Sequence, residues 1–116
     1  MGDESIAPSR RIRFGIVMPE STSVAPTYMF FDREKPVEKI IAGACANAGL
    51  QLDRGKLMGS PERLNLFTLD GDVVRLDLEI EAHLGSTLNA DDVLMLEKGN
   101  RVVEDRLQCI RAMVRR

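Results

Sequence analysis

The sequence predicts one α+β domain in which a mixed β-sheet packs on a single helix. Three features carry this expectation. Ile12, Phe14, Ile16 and Met18 alternate with Arg11, Arg13, Gly15 and Val17, the period-two signature of a strand with one face in a core. Val37, Ile40, Ile41, Ala44 and Ala48 recur at spacings of three and four, an apolar stripe of helical period. Strands precede that stripe and follow it, the order expected of a sheet covered by one helix. A chain of 116 residues fits one domain and can bury a sufficient core without disulfides or a metal.

Each element follows from its residues. Residues 1–10 show no periodicity and read as a flexible tail. The first strand starts at Arg11 and stops at Pro19. The turn-rich stretch Glu20 to Pro26 leads to a second strand, Thr27 to Asp32, with Met29 and Phe31 on one face and Tyr28 and Phe30 on the other. So short a connector makes the pair antiparallel. Pro36 suits the first turn of the helix, because its missing N–H would have had no partner there. Gly49 fits the left-handed cap at the far end. Gly43 inside the helix suggests a close helix–sheet approach.

Gln51 to Glu62, with Gly55, Gly59 and Pro61, reads as a loop. Leu64, Leu66 and Phe67 mark a third strand, and Asp70-Gly71 signals a hairpin joining it to a strand over Val73–Leu76. Asp77 to Leu84 suits a short helical turn, and Val93 to Leu96 forms the last strand. Val103, Leu107, Ile110 and Val114 are spaced four, three and four, predicting a C-terminal amphipathic helix. The expected organisation is a tail (1–10), a domain (11–98) and that helix (99–116), with five strands in the sheet.

Composition narrows the function classes. A net charge of −2 leaves no basic footprint for nucleic acid. The apolar runs are too short to span a bilayer, and the acidic start resembles no secretory signal, so neither membrane nor secretion is expected. Cys45, Cys109 and His83 are the only cysteines and histidine. They cannot complete a four-ligand zinc site, and two isolated thiols suit a reducing cytoplasm or nucleus, each as a small buried hydrophobe. No cofactor is expected.

The strand order, with Arg11-Ile12-Arg13-Phe14 and Tyr28-Met29-Phe30-Phe31 at its start, resembles the ubiquitin-like superfamily and its β-grasp fold. Arg63-Leu64-Asn65-Leu66 with Gly71, and the run Leu88 to Glu97, resemble more narrowly the C-terminal ubiquitin-like domain of AN-one-type zinc-finger proteins (the ZFAND family). The likeness spans residues 11 to 97. It implies a non-catalytic module binding protein partners in the proteasome and stress-response system, such as an AAA ATPase (valosin-containing protein) or the proteasome itself. The finger is not in this sequence, and Thr68 to Asp72 lacks the Phe-Pro-Arg signature of ATPase-binding UBX domains. The chain ends Val114-Arg115-Arg116 without Gly-Gly, so it is not expected to be conjugated.

If Ile12, Phe14, Met29, Phe31, Leu64, Leu66, Leu94 and Leu96 face the helix, then Val17, Tyr28, Phe30, Phe67, Val93 and Met95 face away. Arg13 stands at the border of this second face. Exposed, it would be an apolar patch of the kind that marks an interface. The partner-binding residues expected are therefore Arg13, Val17, Tyr28, Phe30, Phe67 and Met95. The bland alternative is that the C-terminal helix covers the face, in the same chain or in a homodimer. A rival reading makes the chain a small enzyme or ligand-binding domain with a pocket near His83 and Glu79, since a histidine–carboxylate pair can do acid–base work. No nucleophile is spaced to use that pair, and a surface or half-satisfied histidine is the expectation. Asp91-Asp92 is expected to be a solvated turn rather than a metal site.

Overall fold

The sheet is built around β1 (Arg11–Val17), whose two neighbours run in opposite directions. In the computed structural model, which describes residues 6–19, 22, 24–57 and 62–114, β1 pairs antiparallel with β2 (Thr27–Asp32), from Arg11 opposite Asp32 to Ile16 opposite Thr27. Four later strands follow in the chain. β3 (Leu52–Asp53) and β4 (Lys56–Leu57) form a sheet of their own, and β5 (Leu64–Phe67) joins the main one. β6 (Val93–Lys98) lies parallel to β1, pairing only from Gly15 opposite Val93 onward, and antiparallel to β5. The main sheet is mixed, with order β2-β1-β6-β5.

Alternation along the strands sends Ile12, Phe14, Ile16, Met29, Phe31, Leu64, Leu66, Leu94 and Leu96 to one face, where all are buried. The helix α1 (Glu38–Asn47) lies on this face through Ile40, Ile41, Ala44 and Cys45. Gly43 allows the approach expected of it, because a Cβ there would stand 3.3 Å from the Phe31 ring. The helix ends as expected at Gly49, with φ +74. The Leu50 N–H reaches the Cys45 carbonyl at 2.8 Å and the Gly49 N–H reaches Ala46 at 3.2 Å, the paired bonds of a Schellman cap.

The other end of α1 has no side-chain cap. Its first donors, the N–H groups of Val37 and Glu38, are taken by the carbonyls of Leu78 and Leu76 at 2.9 and 3.1 Å. A distant strand-like segment thus satisfies backbone groups that a serine or aspartate usually serves. That role explains why Val73–Leu76 is not the expected fifth strand. Val73 makes one bridge to Phe67, the Val74 N–H bonds Leu66, and the chain then turns away to α1. The architecture is α+β, with four strands in the main sheet rather than five, and compatible with a β-grasp.

Two further expectations are corrected. The β3–β4 hairpin occupies the stretch read as a loop, turning through Arg54 and Gly55 with φ of 54° and 81°. Two positive φ values at its centre make this the mirror-image turn that favours hairpins. At the N-terminus, Ile6 is buried, Pro8–Arg10 forms one 3-10 turn, and the Arg11 Nε donates to the Ile6 carbonyl at 2.8 Å. The tail is therefore fixed from Ile6 onward; residues 1–5 lie outside the described residues, as do 20, 21, 23 and 58–61 of the expected connectors and Arg115 and Arg116 of the C-terminal segment. Between β5 and β6, α2 (Ile80–His83) is the single helical turn expected there.

The C-terminal helix, α3 (Glu104–Val114), settles which element covers the second sheet face. Leu107 and Ile110 are buried against Val17, Phe67 and Met95 of the same chain, with Leu69, Val93 and Val102 at the margin. Polar contacts flank this small core. The Arg106 guanidinium reaches the Met18 carbonyl at 3.2 Å and Glu97 at 3.5 Å, while Arg111 Nε donates to the Leu69 carbonyl at 2.6 Å. The predicted stripe is half right. Val103, before the first helical turn, is 71% exposed, and Val114 is exposed at the far end. The helix Glu104–Val114 thus shares a core with the sheet.

Candidate partner-binding face

α3 divides the outer sheet face in two. Over β5, β6 and the end of β1 it seals Val17, Phe67 and Met95. Three of the six expected partner-binding residues are thus interior, a correction caused by the helix and not by any error of strand phase. Over β1 and β2 the face stays open, with Tyr28 46% and Phe30 37% exposed and Arg13 exposed beside them.

The open half is an arginine–aromatic ladder. The Arg13 guanidinium lies 4.7 Å from the Tyr28 ring centroid, and Arg11 lies 5.8 Å from that of Phe30. Strand register sets this up. Arg13 stands opposite Phe30 and Gly15 opposite Tyr28, so each arginine leans diagonally across an aromatic neighbour. Such cation–π contacts hold long side chains over rings that would otherwise be free to move. Arg13 is also fixed from its other side. Its Nε donates to Asp91 Oδ1 at 2.7 Å, and the Asp91 N–H donates to the Arg13 carbonyl at 2.8 Å.

Two hollows adjoin the ladder. Gly15 has no side chain between Tyr28 and Val93, and a Cβ there would come within 3.1 Å of the tyrosine ring and 3.2 Å of Val93. The dent it leaves is the floor of an apolar groove of about 410 Å³, walled by Pro26, Tyr28, Val93, Met113 and Val114. At the opposite end of β1, where the strand runs beyond its pairing with β6, a cleft of about 400 Å³ is lined by Arg11, Arg13, Arg33, Leu84, Gly85 and Asp91.

No protein-family model and no curated protein matches the chain. The chemistry of the face must therefore be judged on its own residues. Tyr, Phe, Met and Arg are the types that protein interfaces favour.

The rival pocket is not assembled in the same way. His83 is 8% exposed in the short helix α2, whereas Glu79 precedes that helix and is exposed. Of the surface or half-satisfied histidine expected, the surface alternative is not met: His83 is buried, and its Nε2 has no hydrogen-bond partner among the described residues. Neither His83 nor Glu79 lines the groove or the arginine cleft. Asp91 and Asp92 form a turn, with the Asn89 N–H bonding Asp92 Oδ2 at 2.8 Å. Among the described residues no three His, Cys, Asp or Glu side chains converge, and no helix is long and apolar enough to cross a membrane. Cys45 is buried in α1 as expected, but Cys109 is exposed on the outer side of α3.

Sequence reasoning missed Arg11, Gly15, Arg33 and Met113 as parts of this face. Arg11, Arg13 and Gly15 share one side of β1 by simple alternation, so Arg11 and Gly15 were within reach. Arg33 follows the end of β2, and Met113 is off the apolar stripe of α3; only the fold brings them near.

Proposed function

We propose that the chain is a ubiquitin-like, non-catalytic protein–protein interaction module, acting in the proteasome or AAA-ATPase stress-response system of the cytoplasm or nucleus. The likeness of residues 11 to 97 to the ubiquitin-like domain of AN-one-type zinc-finger proteins supports the setting. The valosin-containing ATPase and the proteasome are the partners it suggests. The surface carries the reading further. Tyr28 and Phe30 remain open on a sheet face whose other half the chain has covered with its own helix. A fold that supplies a helix to bury one half, and leaves two aromatics with stacked arginines on the other, presents the second half to something else.

The test is affinity capture from a cell extract with the intact chain and with a Tyr28→Ser/Phe30→Ser variant. Both positions are exposed, so the variant should keep the urea midpoint of the parent within the small shift usual for surface changes. Proteins captured by the parent and lost with the folded variant support the module. Identical captured sets would contradict it.

A further inference from the structure

The groove lies on the outer face near one end of β1 and the arginine cleft at the strand's edge near the other, beyond its pairing with β6, and they differ sharply in chemistry. Gly15 floors the apolar groove; Arg13 and Arg11 follow on the same side of β1, two and four residues back. At about 3.3 Å per residue, the step from Gly15 to Arg11 spans roughly 13 Å, the reach of four residues of extended chain. We propose that this strip binds an extended protein segment with a bipartite pattern, apolar side chains followed within about four residues by a run of carboxylates.

Charge complementarity selects that occupant. The whole chain is net negative, yet three guanidinium groups line the cleft, with Asp91 on its wall and Glu81 beside Arg33. Arg13 commits its Nε to Asp91, one of five N–H donors on a guanidinium, and the stacked ring holds the group in place. Arginines held this way present planar pairs of donors suited to carboxylates. Arg33 is half-buried, and its buried Nε lies 3.7 Å from Glu81, too far for a hydrogen bond, so that carboxylate holds the guanidinium only loosely. At the other end, the Gly15 dent accepts an aliphatic side chain between Tyr28 and Val93, and Met113 on α3 supplies an adaptable wall. α3 thus both seals its own half of the sheet and builds one side of the groove.

This inference rests on the module reading above and specifies the chemistry of its partner. The probe is a fluorescein-labelled peptide, Leu-Val-Leu-Gly-Asp-Glu-Asp-Glu, titrated with the intact chain and read by fluorescence anisotropy. Two control peptides replace the carboxylates by Asn and Gln, or the Leu and Val residues by Ala. The parent peptide should bind about tenfold more tightly than either control, the size expected when a charge-assisted contact or an apolar anchor is lost. Its affinity should fall as salt is raised. The Arg11→Glu/Arg13→Glu variant should weaken the parent peptide by at least about tenfold and leave the amide control unchanged. Gly15→Val should fill the dent and weaken the parent and amide peptides together. Because a valine there also crowds Tyr28, Met113→Lys provides a second variant that leaves the sheet intact.

Equal binding of the amide control would assign the strip to a purely apolar segment and overturn the proposal. Self-association of the chain under the titration conditions, seen by light scattering, would assign it to a second copy and do the same. Failure of every peptide while affinity capture still depends on Tyr28 and Phe30 would remove the bipartite partner but keep the module. Failure of both would remove both.

Discussion

Arg111 Nε donates a 2.6 Å hydrogen bond to the carbonyl of Leu69, tying the last turns of α3 to the turn that follows β5. With Arg106 on the Met18 carbonyl, it brackets the apolar contact of Leu107 and Ile110 with Phe67 and Met95. The helix is thus held by a small core with a polar bond on each side. This arrangement decides which part of the sheet a partner can reach.

Ile110→Ala should therefore destabilise the domain by about 2–4 kcal/mol, the cost of emptying a buried aliphatic site. Val103→Ala, at a position 71% exposed, should change stability by less than about 0.5 kcal/mol. Urea melts of the two variants check both. Equal effects would mean that α3 docks in the phase the sequence stripe suggested and not in the one observed.

Burial in α1 gives a second contrast. Ile40 is wholly buried against the sheet and Glu38 is exposed. Ile40→Asp places an unpaired carboxylate in the core, which costs several kcal/mol and approaches the whole stability of a small domain. It should abolish cooperative unfolding, while Glu38→Ala should melt within about 0.5 kcal/mol of the parent. The far-ultraviolet circular dichroism of both proteins across a urea series reads the difference.

The two thiols should separate by reactivity. Burial pushes the Cys45 thiol above its ordinary range, because the thiolate would lose its hydration. Cys109 is exposed. A thiol reagent at neutral pH should modify one cysteine per chain quickly and the second only after denaturant is added. Mass mapping should place the fast label on Cys109. The raised value also gives stability a sign. The folded chain holds the Cys45 proton more tightly than the unfolded one, so its contribution is complete below the unfolded thiol value. It is lost as pH rises through the folded one. A Cys45→Ala variant should lose stability less steeply than the parent on the alkaline side, read by urea midpoints.

Much of the fold was legible because period is a local property. β1, β2, β6 and the core face of α1 follow from the alternation of Ile12, Phe14 and Ile16 and from the spacing of Val37, Ile40, Ile41 and Ala44. What escaped depends on contacts between distant segments. Val73–Leu76 carries a strand pattern, but Leu76 and Leu78 serve the open N-terminus of α1, and no local signal marks that use. The β3–β4 hairpin turns through Arg54 in a left-handed conformation, where asparagine or glycine would have advertised it. The candidate face was legible by phase and misread by cover. Val17, Phe67 and Met95 do face outward, yet α3 lies over them.

The division of the outer face into a sealed half and an open half underlies both the proposed function and the partner chemistry. Methionine methyl groups report it most directly. Met18, Met29 and Met95 are buried, while Met113 stands exposed on the wall of the groove. With methyl-labelled methionine, a soluble nitroxide should broaden the Met113 resonance strongly and spare those of Met18, Met29 and Met95 in the intact chain. In a chain cut after Gly99, Met95 should become broadened while Met29, beneath α1, stays sharp. A Met95 resonance already broadened in the intact chain, or one equally sharp after the cut, would contradict the account.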